Sequence, residues 1–217
     1  MSLNAIAIPS AIPQAKALIV TLHGWGANAQ DLASLAPLLD LPDYAFVFPD
    51  APLDHPQVPG GRMWYDLGDL ELEPRSWGRD REDSCALLLT WLQELAQSVG
   101  VPLNRCLLCG FSQGGAMAIE VGWQLPLAGV VSLSGYLQTP DLPAHDQPPP
   151  IAIGHGVHDL VVPIRAARHS RDRLLELGAS VTYREFDMSH EICPPEILWW
   201  RDFIQTALQL APAAVSA

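Results

Sequence analysis

The segment Arg105-Cys106-Leu107-Leu108-Cys109-Gly110-Phe111-Ser112-Gln113-Gly114-Gly115-Ala116-Met117-Ala118-Ile119 constrains this chain more than any other. It reads as a short apolar strand, a serine flanked by glycines, and an apolar helix. Glycines on both sides of Ser112 permit a sharp, crowded turn that larger side chains block. Such a turn pushes a serine hydroxyl out at the end of the strand, with a helix starting directly behind it. Backbone N–H groups and the positive end of the helix dipole then face whatever meets that hydroxyl. Gly-x-Ser-x-Gly alone is a weak signal; the strand before it and the helix after it give it weight.

Strand-like and helix-like stretches alternate around this segment. That order predicts an α/β chain with a mainly parallel central sheet flanked by helices on both faces. Strands are predicted over Ala17–Leu22, Tyr44–Phe48 (closed by Pro49), Leu107–Phe111, Gly129–Leu133, Ile151–Gly154 and Val181–Phe186. Helices are predicted over Asn28–Leu39, Asp80–Ser98, Ser112–Gln124, Pro163–Leu177 and Pro195–Leu210. The helix from Asp80 has an acidic first turn, which suits the positive end of its dipole, and Gly178 stops the helix from Pro163. Two segments are irregular, Asp50–Arg79 and Gln138–Pro150. With 217 residues the chain fits a single domain, 1–217, in which the 50–79 loop lies near the active site. Pro212–Ala217 is expected to fray.

The net charge of −12 argues against binding nucleic acid or an anionic membrane through a basic surface. The first ten residues lack the basic and apolar regions of a secretory signal, and no stretch is apolar enough for stable membrane insertion. A cytoplasmic location follows as the expectation. Cys106 and Cys109 form a C-x-x-C, but within a predicted strand they face opposite sides, and no second cysteine pair completes a metal site. Cys85, Cys106, Cys109 and Cys193 read as unpaired, with no disulfide expected in a reducing compartment.

A serine hydroxyl is a poor nucleophile until a base takes its proton. The base is usually a histidine supported by a carboxylate, here expected downstream in the order Ser, then Asp or Glu, then His. Both belong on loops at the carboxyl ends of strands. Asp159 follows Ile151–Gly154 and His190 follows Val181–Phe186, the two positions the topology asks for. Asp141 and Asp146 have no strand before them, and Asp187 reads as a turn residue. His155 and His158 read as structural or solvent-facing, and His169 as a surface residue. An oxyanion needs donors as well. The backbone N–H of Gln113 is one candidate, and that of Trp25, in the Gly-rich Leu22–Asn28 turn, is the other.

These motifs agree on one family. Leu22-His23-Gly24-Trp25-Gly26, Phe48-Pro49-Asp50-Ala51-Pro52, Met63-Trp64-Tyr65-Asp66 and Gly110-Phe111-Ser112-Gln113-Gly114-Gly115 appear in order. Leu133-Ser134-Gly135, His155-Gly156-x-x-Asp159-x-Val161-Val162-Pro163 and Ser189-His190-Glu191 follow. The chain resembles the phospholipase/carboxylesterase family of α/β-hydrolases, which includes bacterial carboxylesterases and acyl-protein thioesterases. The resemblance implies the α/β-hydrolase fold, a Ser112–Asp159–His190 triad and an oxyanion hole from the N–H groups of Trp25 and Gln113. It implies hydrolysis of carboxylic esters by a serine carboxylesterase, with a small-molecule ester or lipid-like acyl substrate. Lysophospholipids or acyl thioesters are the alternative, and a catalytically silent interaction protein a further one. No metal or organic cofactor is needed.

Trp25 stands where family members often carry Leu, and an indole there would reshape the acyl site. The acidic run Asp66–Glu73 also departs from the thioesterases of the family. Met63, Trp64 and Tyr65 are candidates for an apolar wall against the acyl group, with Trp77 a weaker one and core packing the competing role. Trp199 and Trp200 are candidates for a homodimer face, again against core packing.

Overall fold

The computed structural model describes residues 3–67, 77–139 and 141–210. Among them the strands run β1 (Ala5–Ile8), β2 (Leu18–Leu22), β3 (Ala45–Pro49), β4 (Leu53–Asp54), β5 (Arg62–Met63), β6 (Cys106–Phe111), β7 (Gly129–Leu133), β8 (Ile151–Gly156) and β9 (Val181–Phe186). The helices are α1 (Ala29–Ala33), α2 (Ala36–Leu39), α3 (Trp77–Val99), α4 (Gln113–Gly122), α5 (Ile164–Glu176) and α6 (Pro194–Leu210).

Seven strands form one sheet in the order β1-β3-β2-β6-β7-β8-β9, and every neighbouring pair is parallel except β1 with β3. The inner strands β2, β3, β7 and β8 are buried at every residue, and β6 at all but Phe111. This is why they read as unbroken apolar runs: helices cover both faces of a parallel sheet. Successive residues feed opposite cores. Leu18, Val20 and Leu22 pack with Leu88 and Leu92 of α3 and Met117 of α4. Ile19 and Phe46 pack on the other face with Trp200, Phe203 and Ile204 of α6. Cys106 belongs to the first core and Cys109 to the second, on opposite faces of the sheet as their strand placement predicts, and both are free thiols.

The structure departs from the sequence-based expectation in four places. The predicted helix over Asn28–Leu39 is two short ones. Asn28 caps α1 with a full capping box through Asp31, and Pro37, which cannot donate to a preceding carbonyl, sits in the first turn of α2. The edge strand β1 has no counterpart among the predicted strands. Its Ala5-Ile6-Ala7-Ile8 sequence is apolar, but the strand is only four residues long, none of them buried, and Pro9 follows directly. The loop at 50–79 contains the hairpin β4–β5, with Leu53 opposite Met63. Finally, α3 begins at Trp77 rather than Asp80. Most of the acidic run Asp66–Glu73, the Trp77 side chain and Pro212–Ala217 lie outside the described residues.

The register decides what meets at the carboxyl edge. Leu22 of β2 pairs with Gly110 of β6, and Phe111 pairs with Leu133 of β7. The loop after β2 therefore emerges beside the loop after β6. The loops after β8 and β9 emerge together further along the same edge, since Gly156 pairs with Phe186.

Candidate active site

Ser112 alone joins β6 to α4, at φ 54° and ψ −118°. A positive φ is disfavoured for a residue with a side chain and persists only where its surroundings enforce it. Here they do. A Cβ on Gly110 would stand 2.1 Å from the Gly114 carbonyl oxygen, and one on Gly114 would stand 2.2 Å from that of Leu22. Strand, turn and helix are pressed together at distances only glycine allows. The Ser112 N–H is fixed by donating to the Leu133 carbonyl at 2.8 Å.

The loops after β8 and β9 are zipped to each other. Val157 N–H donates to the Phe186 carbonyl at 2.9 Å and His158 N–H to that of Met188 at 3.1 Å. The exposed His158 ring adds a contact to Asp187 at 2.8 Å. This pairing sets Asp159 against His190. Asp159 is buried, yet its carboxylate is well supplied with donors. Oδ1 accepts from the N–H groups of Val161 at 2.9 Å and Val162 at 2.8 Å. Oδ2 lies 2.7 Å from His190 Nδ1. A carboxylate only accepts, so Nδ1 carries the proton and Nε2 is left as an acceptor. His190 Nε2 lies 3.0 Å from Ser112 Oγ. The three residues picked out by topology thus form one hydrogen-bonded line, although 78 positions separate Ser112 from His190.

The turn after β2 packs directly on this line. A Cβ on Gly24, the residue before Trp25, would sit 3.3 Å from Ser112 Cβ. Among the described residues no acceptor engages the backbone N–H of Trp25 or of Gln113. Both are therefore free to bind an oxygen that appears at Ser112.

Two groups absent from the sequence-based candidates hold this arrangement. The buried His23 donates through Nδ1 to its neighbour, the Gly24 carbonyl, at 2.8 Å, and Nε2 accepts from Ala51 N–H at 3.0 Å. Burial lowers its pKa, consistent with a neutral ring using one nitrogen as donor and one as acceptor. The Gln113 side chain bridges to the next loop: Oε1 accepts from Trp64 N–H at 3.0 Å and Nε2 donates to the Tyr65 carbonyl at 2.7 Å. The one signal for His23 is a polar residue placed between an apolar residue and a glycine; the Gln113 side chain has none.

The Met63–Tyr65 stretch occupies the packing role. Trp64 and Tyr65 are wholly buried and Met63 nearly so. Trp64 Nε1 donates to the His23 carbonyl at 2.9 Å, tying the loop to the turn after β2. Exposed apolar side chains on the neighbouring loops are Trp25, 40% exposed and one residue after Gly24, and Val58, 42% exposed and packed near Gly26. The Trp25 indole stands edge-on to the His55 ring, with centroids 4.1 Å apart.

Of the remaining candidates, His155 is fully buried and structural rather than solvent-facing, and His169 is exposed. Asp141 and Asp146 are exposed in the loop after β7, away from the line. Trp200 is completely buried in the core, so it offers nothing to a dimer face, whereas Trp199 is half-buried. Among the described residues, no cluster of three or more His, Cys, Asp or Glu side chains is placed to hold a metal, and no helix is long and apolar enough to cross a membrane.

Comparison with known proteins agrees with the geometry. Residues 3–208 match a family described as Phospholipase/Carboxylesterase. Acyl-protein thioesterase 1 of Saccharomyces cerevisiae is 29% identical over 228 residues, spanning 95% of this chain and 99% of the relative. Acyl-protein thioesterase 1 of Yarrowia lipolytica is 33% identical over 176 residues, spanning 73% and 76%. Among solved structures, esterase PE8 superposes with a TM-score of 0.88 at 28% identity, over 95% of this chain and all of that one. The Bacillus cereus carboxylesterase gives 0.82 at 17% identity over 94% of each chain, a likeness of fold.

Proposed function

Since the chain belongs to the phospholipase/carboxylesterase family of α/β-hydrolases, which makes it a serine hydrolase, we propose that it cleaves carboxylic esters through an acyl-Ser112 intermediate. His190 is the base, Asp159 its support, and the N–H groups of Trp25 and Gln113 form the oxyanion hole. The observation that carries this reading is the unbroken line Asp159–His190–Ser112, with contacts of 2.7 Å and 3.0 Å.

His190 Nε2 takes the Ser112 proton as Oγ attacks the ester carbonyl carbon. The carbonyl oxygen becomes an oxyanion and settles on the two backbone N–H groups, which need no reorganisation to receive it. Collapse breaks the bond to the alcohol, which leaves with the proton from His190 Nε2. Water then gives a proton to His190 and attacks the acyl-Ser112 carbonyl. The carboxylic acid departs and Ser112 recovers its proton. Through each half, Asp159 holds the ring in the required tautomer and stabilises it when charged.

The test is turnover of p-nitrophenyl esters from acetate to palmitate, with labelling by a fluorophosphonate that reports the modified residue. Ester turnover with the label on Ser112 is the expected result. Folded protein that neither turns over any ester nor takes the label would overturn the reading. The named relatives are acyl-protein thioesterases, which favours acyl thioesters as the second substrate class. The matching thioester series, run beside the oxygen esters, decides between them.

Trp25 is the side chain best placed to sort acyl groups, because it is exposed on the turn that packs against Ser112 while Trp64 and Tyr65 are sealed in the core. Replacing it with Leu removes an aromatic wall and leaves the backbone donor in place. Trp25→Leu is expected to raise the ratio of kcat/KM on p-nitrophenyl octanoate to that on the acetate about fivefold, the order of effect a reshaped apolar pocket gives. An unchanged ratio removes Trp25 from the acyl site.

A further inference from the structure

His155 is completely buried near the end of β8, four residues before Asp159. Its Nε2 lies 2.7 Å from the Val162 carbonyl oxygen and 3.4 Å from Asp159 Oδ2. A carbonyl only accepts, so Nε2 carries a proton. Nδ1 is buried with no hydrogen-bond partner among the described residues. Burial also pushes the pKa of the ring down, so it stays neutral where His190 must cycle its own proton. The charged groups acting on it are Asp159 on the following loop, His190 across the site and Glu185 on β9, and Glu185 is already gripped by Arg168 of α5 at 2.8 Å and 2.9 Å.

We propose that His155 is a positioning residue for this hydrolysis, whose Nε2–H both closes the Asp159–Val162 turn and shares the carboxylate oxygen that His190 uses. The inference rests on the triad reading above. Two effects follow from the one N–H. First, Asp159 Oδ1 is held by the Val161 and Val162 N–H groups. The bond from His155 to the Val162 carbonyl pins the residue whose own N–H donates to Oδ1. Second, the positive end of the same N–H lies against Oδ2 and screens part of its charge from His190. A neutral ring suits this duty: an imidazolium there would compete with His190 for Asp159.

The test compares wild type with H155L, H155N and H155Q by kcat, KM, the pH profile of kcat/KM and thermal melting. Gln places an N–H near the position of Nε2; Asn is too short to reach Val162, and Leu has no donor. H155L and H155N are expected to lose about tenfold in kcat with KM within about twofold, the loss of one aimed hydrogen bond to a catalytic group. Their acid limb is expected to move up by about half a pH unit, because an unscreened Asp159 makes His190 easier to protonate. H155Q is expected to restore both, whatever its melting temperature. If H155Q matches H155N in rate and acid limb, or if H155L and H155N keep the wild-type limb, the inference is overturned. Should H155L fail to fold, the Gln–Asn comparison alone decides. Ser112→Ala run alongside separates the two levels. An active Ser112→Ala sinks the triad reading itself, whereas an inactive one with unshifted His155 variants sinks only the role of His155.

Discussion

Ser112→Ala is expected to lower kcat on p-nitrophenyl esters about 10⁶-fold, and Asp159→Asn about 10⁴-fold, with both proteins folded. The two numbers differ for a reason visible in the site. In the proposed mechanism Ala removes the atom that forms the acyl bond, leaving only the oxyanion donors and a base with no attacker. Asn leaves the attacker and disturbs the base. Its amide NH₂ group can turn toward His190 Nδ1 and donate, which forces the ring proton onto Nε2. That nitrogen lies 3.0 Å from Ser112 Oγ and must be free to accept. The fold tolerates the change because the amide oxygen of Asn still accepts from Val161 and Val162 N–H, as Asp159 Oδ1 does now. Steady-state rates and melting curves on the two purified variants check this. Wild-type turnover in either one removes that residue from the mechanism.

Ser112, Asp159 and His190 are legible in the sequence because of where they sit. Each lies just past a strand of the parallel sheet: β6 and β8 are buried runs, whereas β9, before His190, alternates and carries Thr182, Arg184 and Glu185. Once the strands are placed, the carboxyl edge of a parallel sheet gathers the residues that follow them. What stays hidden is whatever arises from contacts distant in sequence or from a local break in a regular pattern. The split of Asn28–Leu39 into two helices turns on a local cap and Pro37, and periodicity alone conceals it. The burial of Trp64 depends on the His23 carbonyl, 41 positions away, accepting its indole N–H. Aromatic residues on a loop look the same in sequence whether they line a pocket or brace it. Gln113 shows the same divide. Its position after the serine makes its backbone N–H a candidate for the oxyanion, whereas its side chain clamps the 64–65 loop and has no sequence signature.

The second large effect concerns Glu196, in the first turn of α6, six residues after His190. It is completely buried beneath β8, where a Cβ on Gly154 would stand 2.4 Å from its Oε1. Among the described residues neither carboxyl oxygen has a hydrogen-bond partner. Burial without a partner disfavours the charged form, and the pKa rises from its ordinary 4.5 to about 8. The folded chain therefore keeps a proton that the unfolded chain gives up above 4.5. Unfolding releases that proton between those two values, so the contribution to stability is full below pH 4.5 and is lost as pH rises through 8. At about 1.4 kcal/mol for each pH unit between the two values, the loss is on the order of several kcal/mol, large for a domain of this size. Glu196→Gln keeps the shape and has no proton to lose. It is expected to match wild type near pH ~5 and to exceed it by at least about 2 kcal/mol near pH ~9, measured by urea unfolding across that range. Equal stability losses in both proteins would show that Glu196 is not what senses pH. Glu196 lies in the first turn of α6, just beyond the His190 loop, so ionising its buried side chain is expected to disturb the start of that helix. Alkaline inactivation of the wild type should therefore set in before global unfolding, and Glu196→Gln should delay it.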